Sequence, residues 1–232
     1  MKIVNKNAFK LEPFGKSTKI IFDCGCHSSF YNDLVKANDH KLKNIELHIG
    51  RCTYIEDKCE LRYYSCATEQ YRLEVGNFTS IGNNCSFIMN GGHRVNYLST
   101  HKFFRYFEMP SKKWECVSEL EGKNIKIGSD VWIGAHSKIL SGAEIGHGVI
   151  LGTDTLVTSS QKLEPFGIYV GHPAKLVRFR FDQRIIERLL VLKWWEKDLN
   201  WIEKHKKYFD FDLTENLQDT LTKLDYLIGQ YY

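Results

Sequence analysis

The 232-residue sequence predicts an all-β solenoid followed by C-terminal α-helices. Three observations carry this reading. Aliphatic anchors recur every six positions at Ile127, Ile133, Ile139, Ile145, Leu151, Val157 and Leu163. Glycines 128, 134, 146 and 152 directly follow four of them. Small or β-branched residues, Val131, Ser137, Ala143, Val149 and Thr155, stand two places before successive anchors. Neither strand alternation nor a helical period explains this spacing. A hexapeptide period does: each unit makes a short strand and a corner, and three units close one triangular coil. The anchor points into the prism and stacks on the next coil. The residue two before it also points inward and must be small. Glycine at the corner is expected to tolerate backbone angles that a Cβ disfavours. One unit buries almost nothing, so only stacked coils supply a core.

The elements follow in order. The first forty or so residues read as short strands or an early, irregular coil. A weaker set of anchors, Ile49, Ile55 and Leu61, comes with Thr53 and Cys59 in the small positions. A short break then carries Tyr63, Tyr64 and Tyr71. Val75, Ile81 and Phe87 resume the phase, with Thr79 and Cys85 as the small residues. Between Phe87 and Ile127 the period lapses, which predicts a loop excursion over 88–124. Long insertions in a regular repeat are often functional. This one holds Asn90-Gly91-Gly92-His93-Arg94, the aromatic stretch around Phe103 and Phe104, and Trp114. After Pro165, Gly171-His172-Pro173-Ala174-Lys175 reads as an exit turn. Asp182 is placed to cap a helix whose buried face carries Ile185, Ile186, Leu189, Leu190, Leu192 and Trp195. Leu217, Leu221, Leu224 and Leu227 mark another amphipathic helix. Residues 1–180 are thus the β-helical body and 181–232 a helical segment, expected to cap the open end of the solenoid and cover its strand edges.

Composition excludes several classes. A chain with 43% hydrophobic and 26% charged residues is neither disordered nor collagen-like. A formal charge of +4 suits an anionic ligand, but no dense basic stripe points to nucleic acid. No apolar run is long enough for a membrane span, and the N-terminus lacks the apolar stretch of a secretory leader. Seven scattered cysteines favour reduced thiols and a cytoplasmic protein. Cys24 and Cys26 form a C-x-C pair, but no second pair follows at zinc spacing, so no metal is expected.

The stretch from Ile81 to Arg94, the hexapeptides from Ile125 to Thr158, the exit turn at Gly171–Lys175 and the Leu192-Lys193-Trp194-Trp195 run occur here in one order. Together they resemble the xenobiotic acetyltransferase branch of the hexapeptide-repeat transferases, which includes chloramphenicol and streptogramin acetyltransferases and related sugar O-acetyltransferases. The likeness covers roughly residues 75–202. It implies a left-handed parallel β-helix, a homotrimer, and acetyl-coenzyme A held between adjacent subunits.

The resemblance also implies roles. His93 matches the family's catalytic histidine. A hydroxyl is a poor nucleophile and a thioester is already activated, so the main task is to remove the hydroxyl proton, and neutral imidazole does this near pH 7. His101 is the competing base. Asn90, with Gly91 and Gly92, is expected to shape the turn that presents His93, and Asn90, His101, Phe103 and Phe104 are expected at the acceptor. Trp132 points outward and is expected to wall the cofactor groove, where Gly134 and Ala135 admit the pantetheine arm and Thr153 and Thr158 line its course. Gly171, Pro173 and Ala174 leave room beside the adenosine end, and Lys175, with Arg178 or Arg180, meets its phosphates. His136, His147 and His172 read as surface residues.

The chain departs from antibiotic-modifying members in three places, the first a long N-terminal part with coil-like repeats from Ile49. Tyr63-Tyr64-Ser65 is followed after only nine residues by Val75, and Lys102 stands where those members often carry proline. These departures point to a sugar or polysaccharide-precursor hydroxyl as acceptor. An antibiotic hydroxyl is the alternative, and a non-catalytic β-helical scaffold is the alternative from another class.

Overall fold

The computed structural model describes residues 19–22, 27–28, 45–56, 58–62, 71–90, 93, 95–101, 103, 107–108 and 123–230. Cys24, Cys26, Tyr63, Tyr64, Ser65, Gly91, Gly92, Lys102, Phe104 and Trp114 lie outside them.

The chain visits three sheets in rotation. The first contains, in order, Lys19–Phe22, Ile45–Ile49, Tyr71–Val75, Ile125–Ile127, Glu144–Ile145 and Lys162–Leu163. The second runs from His27–Ser28 through Tyr54–Ile55, Ser80–Ile81, Trp132–Ile133 and Ile150–Leu151 to Gly167–Val170 and Lys175–Phe179. The third holds Glu60–Arg62, Ser86–Ile88, Lys138–Leu140 and Leu156–Val157. Every pairing is parallel except the last in the second sheet, where Lys175–Phe179 returns antiparallel on Gly167–Val170. The early segment therefore holds short strands, in register with later coils.

The six-residue phase sets which side chains enter the core. Ile127, Ile133, Ile139, Ile145, Leu151, Val157 and Leu163 are all buried, and so are the earlier anchors from Ile49 to Phe87. In register they stack: Ile81 on Ile133 on Leu151, and Phe87 on Ile139 on Val157. The residue two before each anchor is buried too, except Gln161 before Leu163, and its chemistry has a reason beyond size. Thr53 donates its hydroxyl to the Gly76 carbonyl (2.6 Å), Thr79 to that of Gly128 (3.0 Å), and Thr155 to that of Gly152 (2.7 Å). Cys59 and Cys85 donate their thiols to the carbonyls of Gly82 (3.1 Å) and Gly134 (3.4 Å). A small donor thus satisfies a corner carbonyl that the prism would otherwise leave dry.

The corner glycines act differently from expectation. Left-handed backbone falls three residues after the anchors, whether or not a glycine follows them, at Cys52, Lys58, Phe78, Asn84, Asp130, His136, Gly142, Gly148, Asp154, Ser160 and Phe166. The glycines serve close approach instead: a Cβ on Gly134 would sit 2.5 Å from the Thr153 nitrogen, and one on Gly128 would sit 2.7 Å from that of His147.

The helical segment begins where Asp182 accepts the Arg184 amide (3.0 Å) and caps helix α1, Gln183–Leu192. Helix α2 is Leu199–Lys204, and helix α3, Leu217–Gly229, buries Leu221, Leu224 and Leu227 against the α1 face formed by Ile185, Ile186, Leu189 and Leu192. Arg188 adds a two-pronged bond to Asp225 (2.8 and 3.2 Å). These helices do not cap the open end. They clasp one corner, the one after the first sheet, along several coils: Trp195 stacks on His147, its carbonyl accepts from Arg51 and Asn77, and Phe78 meets Trp194. The end is closed by the exit turn and its returning strand. Gly171 accepts the Leu156 amide (3.0 Å), and the Ala174 amide donates to Leu156 (2.7 Å), covering the edge of the third sheet. No described helix is long and apolar enough to cross a membrane.

Candidate active site

The three corners of the coil have different surroundings. At the first, each corner side chain accepts an amide from the coil before it: Arg51 N–H to Asn77 Oδ1 (3.0 Å), Asn77 N–H to Ser129 Oγ (3.0 Å), and Ser129 N–H to His147 Nδ1 (2.9 Å). His147 is therefore neutral with its proton on Nε2, and burial lowers its pKa below the usual histidine value. It is stacked at 4.7 Å on Trp195 rather than lying free on the surface. Arg180 also belongs here, bonded to Asp130 (3.0 Å) and the Gly148 carbonyl (2.9 Å) between the rings of Phe166 and Phe181. That commitment removes it from the predicted phosphate contacts. Burial raises the Asp130 carboxyl above its ordinary range despite Arg180 beside it. A cavity of about 350 Å³ within the clasp is walled by Phe166, Trp194, Trp201 and Tyr208, and of the predicted site residues Arg180 alone lines it.

The second corner is open. Trp132 stands 56% exposed on the outer face of its sheet, between Ser80 and Ile150 in register. Past it, Gly134 lies flat under Thr153, and Gly152 under Val170. The Ala135 carbonyl accepts the Asp154 amide (2.8 Å), and His172 Nε2 meets the Asp154 carbonyl, which pins the exit turn to the coil below. Gly171 adopts φ +92°, a left-handed value that only glycine takes without strain, and lets the chain leave the coil there. Thr153, Gly171, Pro173, Lys175 and Arg178 are exposed. The structure thus gathers Trp132, Gly134, Ala135, Thr153 and the exit turn along one corner. Two expected members differ. Ala174 is buried and faces the coil. Thr158 sits on the third corner, with its amide and hydroxyl on Gln161 Oε1 (both 3.1 Å). Its phase, one residue after an anchor on the next sheet, already carried that signal.

The third corner is where the excursion departs. The Met89 amide makes the last ladder bond, to the Arg62 carbonyl (2.9 Å). Asn90 is 2% exposed and donates Nδ2–H to the Tyr71 hydroxyl (2.9 Å), so it supports the exit of the chain rather than facing an acceptor. His93 is exposed, and its Nδ1 lies 2.7 Å from the Thr100 carbonyl. A carbonyl only accepts, so Nδ1 carries a proton and the neutral ring has its lone pair on Nε2. That is the tautomer a general base requires. Val95, Leu98, Tyr97, Phe103 and Phe107 are exposed on the same excursion. The His101 ring lies edge-on to Phe103 (centroids 5.0 Å apart). The orienting carbonyl escaped sequence reading because any residue at position 100 supplies one.

Among the described residues no group of three His, Cys, Asp or Glu side chains could hold a metal. What the arrangement can do is accept a proton at His93 Nε2 and hold a long flexible molecule along an open, glycine-floored corner.

Known proteins share this pattern. The family described as bacterial transferase hexapeptide (six repeats) matches residues 124–159. Chloramphenicol acetyltransferase of Klebsiella aerogenes is 35% identical over 182 residues, covering 74% of this chain and 84% of its own. That of Agrobacterium fabrum is 37% identical over 167 residues, covering 68% and 78%. Virginiamycin A acetyltransferase of Staphylococcus aureus is 32% identical over 170 residues, covering 71% and 77%.

Proposed function

Because the chain belongs to the hexapeptide-repeat acetyltransferases, with the chloramphenicol and virginiamycin acetyltransferases among its relatives, we propose that it transfers the acetyl group of acetyl-coenzyme A to a hydroxyl, with His93 as general base. The single observation that carries the base assignment is the Nδ1 bond to the Thr100 carbonyl, which puts the neutral ring's lone pair on Nε2. His93 Nε2 takes the hydroxyl proton as the oxygen attacks the thioester carbonyl. The tetrahedral adduct then expels the coenzyme A thiolate, which recovers the proton from the imidazolium. The Thr100 carbonyl steadies that cation through Nδ1–H. Coenzyme A lies along the second corner, against Trp132, Gly134, Ala135, Thr153, Gly171 and Pro173, with Lys175 and Arg178 at its phosphates.

The body, residues 1–180, is read as a left-handed parallel β-helix and residues 181–232 as its helical clasp. His93 departs from the third corner while the groove follows the second. A homotrimer, in which one subunit's excursion meets its neighbour's groove, joins the two. The free thiols of Cys59 and Cys85 suit a cytoplasmic protein.

For the acceptor, the exposed apolar side chains near His93 in sequence favour an amphipathic, antibiotic-type alcohol. A sugar hydroxyl is the second reading. It rests on the short segment after Tyr63-Tyr64-Ser65 and on Lys102. An acceptor screen that sets chloramphenicol and streptogramins against nucleotide sugars and oligosaccharides separates the two.

His93→Ala should slow transfer by about 10²–10⁴-fold and leave the acetyl-coenzyme A dissociation constant unchanged. Equal turnover in the variant refutes the base.

A further inference from the structure

The excursion that carries His93 is pinned at both ends by hydroxyls at the third corner. At its return, Ser141 Oγ accepts the Lys123 amide (2.9 Å) and donates to the Lys123 carbonyl (3.1 Å). At its exit, the Tyr71 hydroxyl accepts from Asn90 Nδ2 (2.9 Å). Tyr71 and Asn90 are 1% and 2% exposed, so the bond forms where water does not compete. Tyr71 opens the strand Tyr71–Val75, which pairs in full register with Ile45–Ile49 and continues onto Ile125–Ile127, so its ring belongs to the rigid part of the prism. The two ends differ in reach. Lys123 lies thirty residues from His93, but Asn90 lies three. Three residues span roughly 10 Å at most, so Asn90 anchors the chain within that reach of the base. The other restraint on His93, the Thr100 carbonyl, fixes ring orientation and tautomer but belongs to the excursion itself. The Tyr71 bond ties the His93 end of the excursion to the core.

We propose that Tyr71 is a positioning residue for His93, acting through Asn90 to set where the base stands relative to the acceptor hydroxyl. The inference rests on the reading of His93 as general base. Misplacing a reacting group by about 1 Å can cost about 10²-fold in rate, and loss of one restraint among others should cost less.

The test compares Tyr71→Phe with Ser141→Ala in the full chain, with His93→Ala alongside. Tyr71→Phe should lower kcat about tenfold with KM for acetyl-coenzyme A unchanged. Ser141→Ala removes the bonds at the other end; it should lower the melting temperature comparably yet keep kcat within about twofold. If loss of the Tyr71 hydroxyl beside buried Asn90 prevents folding, Tyr71→Phe with Asn90→Leu removes both polar partners. That double variant should regain stability but remain slow. Wild-type kcat in either Tyr71 variant, or equal kcat losses in Tyr71→Phe and Ser141→Ala, overturns the proposal. A fully active His93→Ala overturns the base reading and this inference with it. An inactive His93→Ala beside a wild-type Tyr71→Phe overturns this inference alone.

Discussion

The first and second corners of the coil are built from the same hexapeptide and meet different fates. Both carry a glycine after the anchor and a left-handed residue two further on. At the first, the side chains of Asn77, Ser129 and His147 accept amides from coil to coil, and Trp195 covers them. At the second, Ala135 and Thr153 occupy the equivalent places, and Thr153 is exposed. The prism needs only the inward positions and the close glycine. The outward corner residue is free either to bind the protein's own helices or to leave a groove.

This difference can be broken from the side of the clasp. Trp195 is 1% exposed, so Trp195→Ala should cost about 3–5 kcal/mol in urea unfolding. The acetyl-coenzyme A dissociation constant should stay within about twofold, because the groove lies on another corner. Matching losses of affinity and stability would show that the corners are not independent.

A paired substitution sharpens the same point. Gly128→Val and Gly134→Val each force a side chain against the backbone of the next coil, with the first added carbon 2.7 and 2.5 Å from the nearest atom. Each should destabilise by about 1–3 kcal/mol. Only Gly134→Val should also abolish coenzyme A binding by calorimetry; equal binding in both would remove the groove from the second corner.

A smaller effect concerns pH. His147 is neutral in the fold and its pKa is lowered by burial. The unfolded chain therefore takes up more protons than the folded one between that lowered value and the ordinary one near ~6.5. Stability should fall as pH drops through this window and be fully present above it. His147→Gln offers a carbonyl to the same amide without titrating, and should flatten that part of the pH–stability curve. An unchanged slope would assign the acid sensitivity elsewhere.

The smallest effect is expected at Lys175, an exposed charge on the returning strand. Lys175→Ala should weaken coenzyme A binding by about two- to fivefold, as exposed ion pairs contribute about 0.2–1 kcal/mol, with no change in melting temperature. An unchanged dissociation constant would remove Lys175 from the phosphates.

Much of the site was legible for uneven reasons. His93 stood out because the repeat lapses around it and its flanking residues resemble a known family. Trp132, Gly134, Ala135 and Thr153 could be placed by phase alone, since the period decides which corner each occupies. The same phase should have excluded Thr158. Asn90 was expected both in the turn that presents His93 and at the acceptor, and only the first agrees with its place. Its burial against Tyr71 depends on where a strand nineteen residues earlier re-enters the prism, and no local pattern encodes that. Arg180 resembled its neighbour Arg178 in sequence, yet one faces solvent and the other is held by Asp130, fifty residues away.

The six-residue period by itself determined the three sheets, the inward stack of anchors and the small inner positions, and the helical spacing of the leucines and isoleucines after Asp182 determined two amphipathic helices. These follow from short-range geometry, because burial repeats with the strand and corner. Only the tertiary structure decided which corner the helices clasp, that the exit turn rather than a helix closes the end, and which carbonyl orients His93. Each of those depends on backbone groups or on partners distant in the chain, and backbone groups are the same for every residue type.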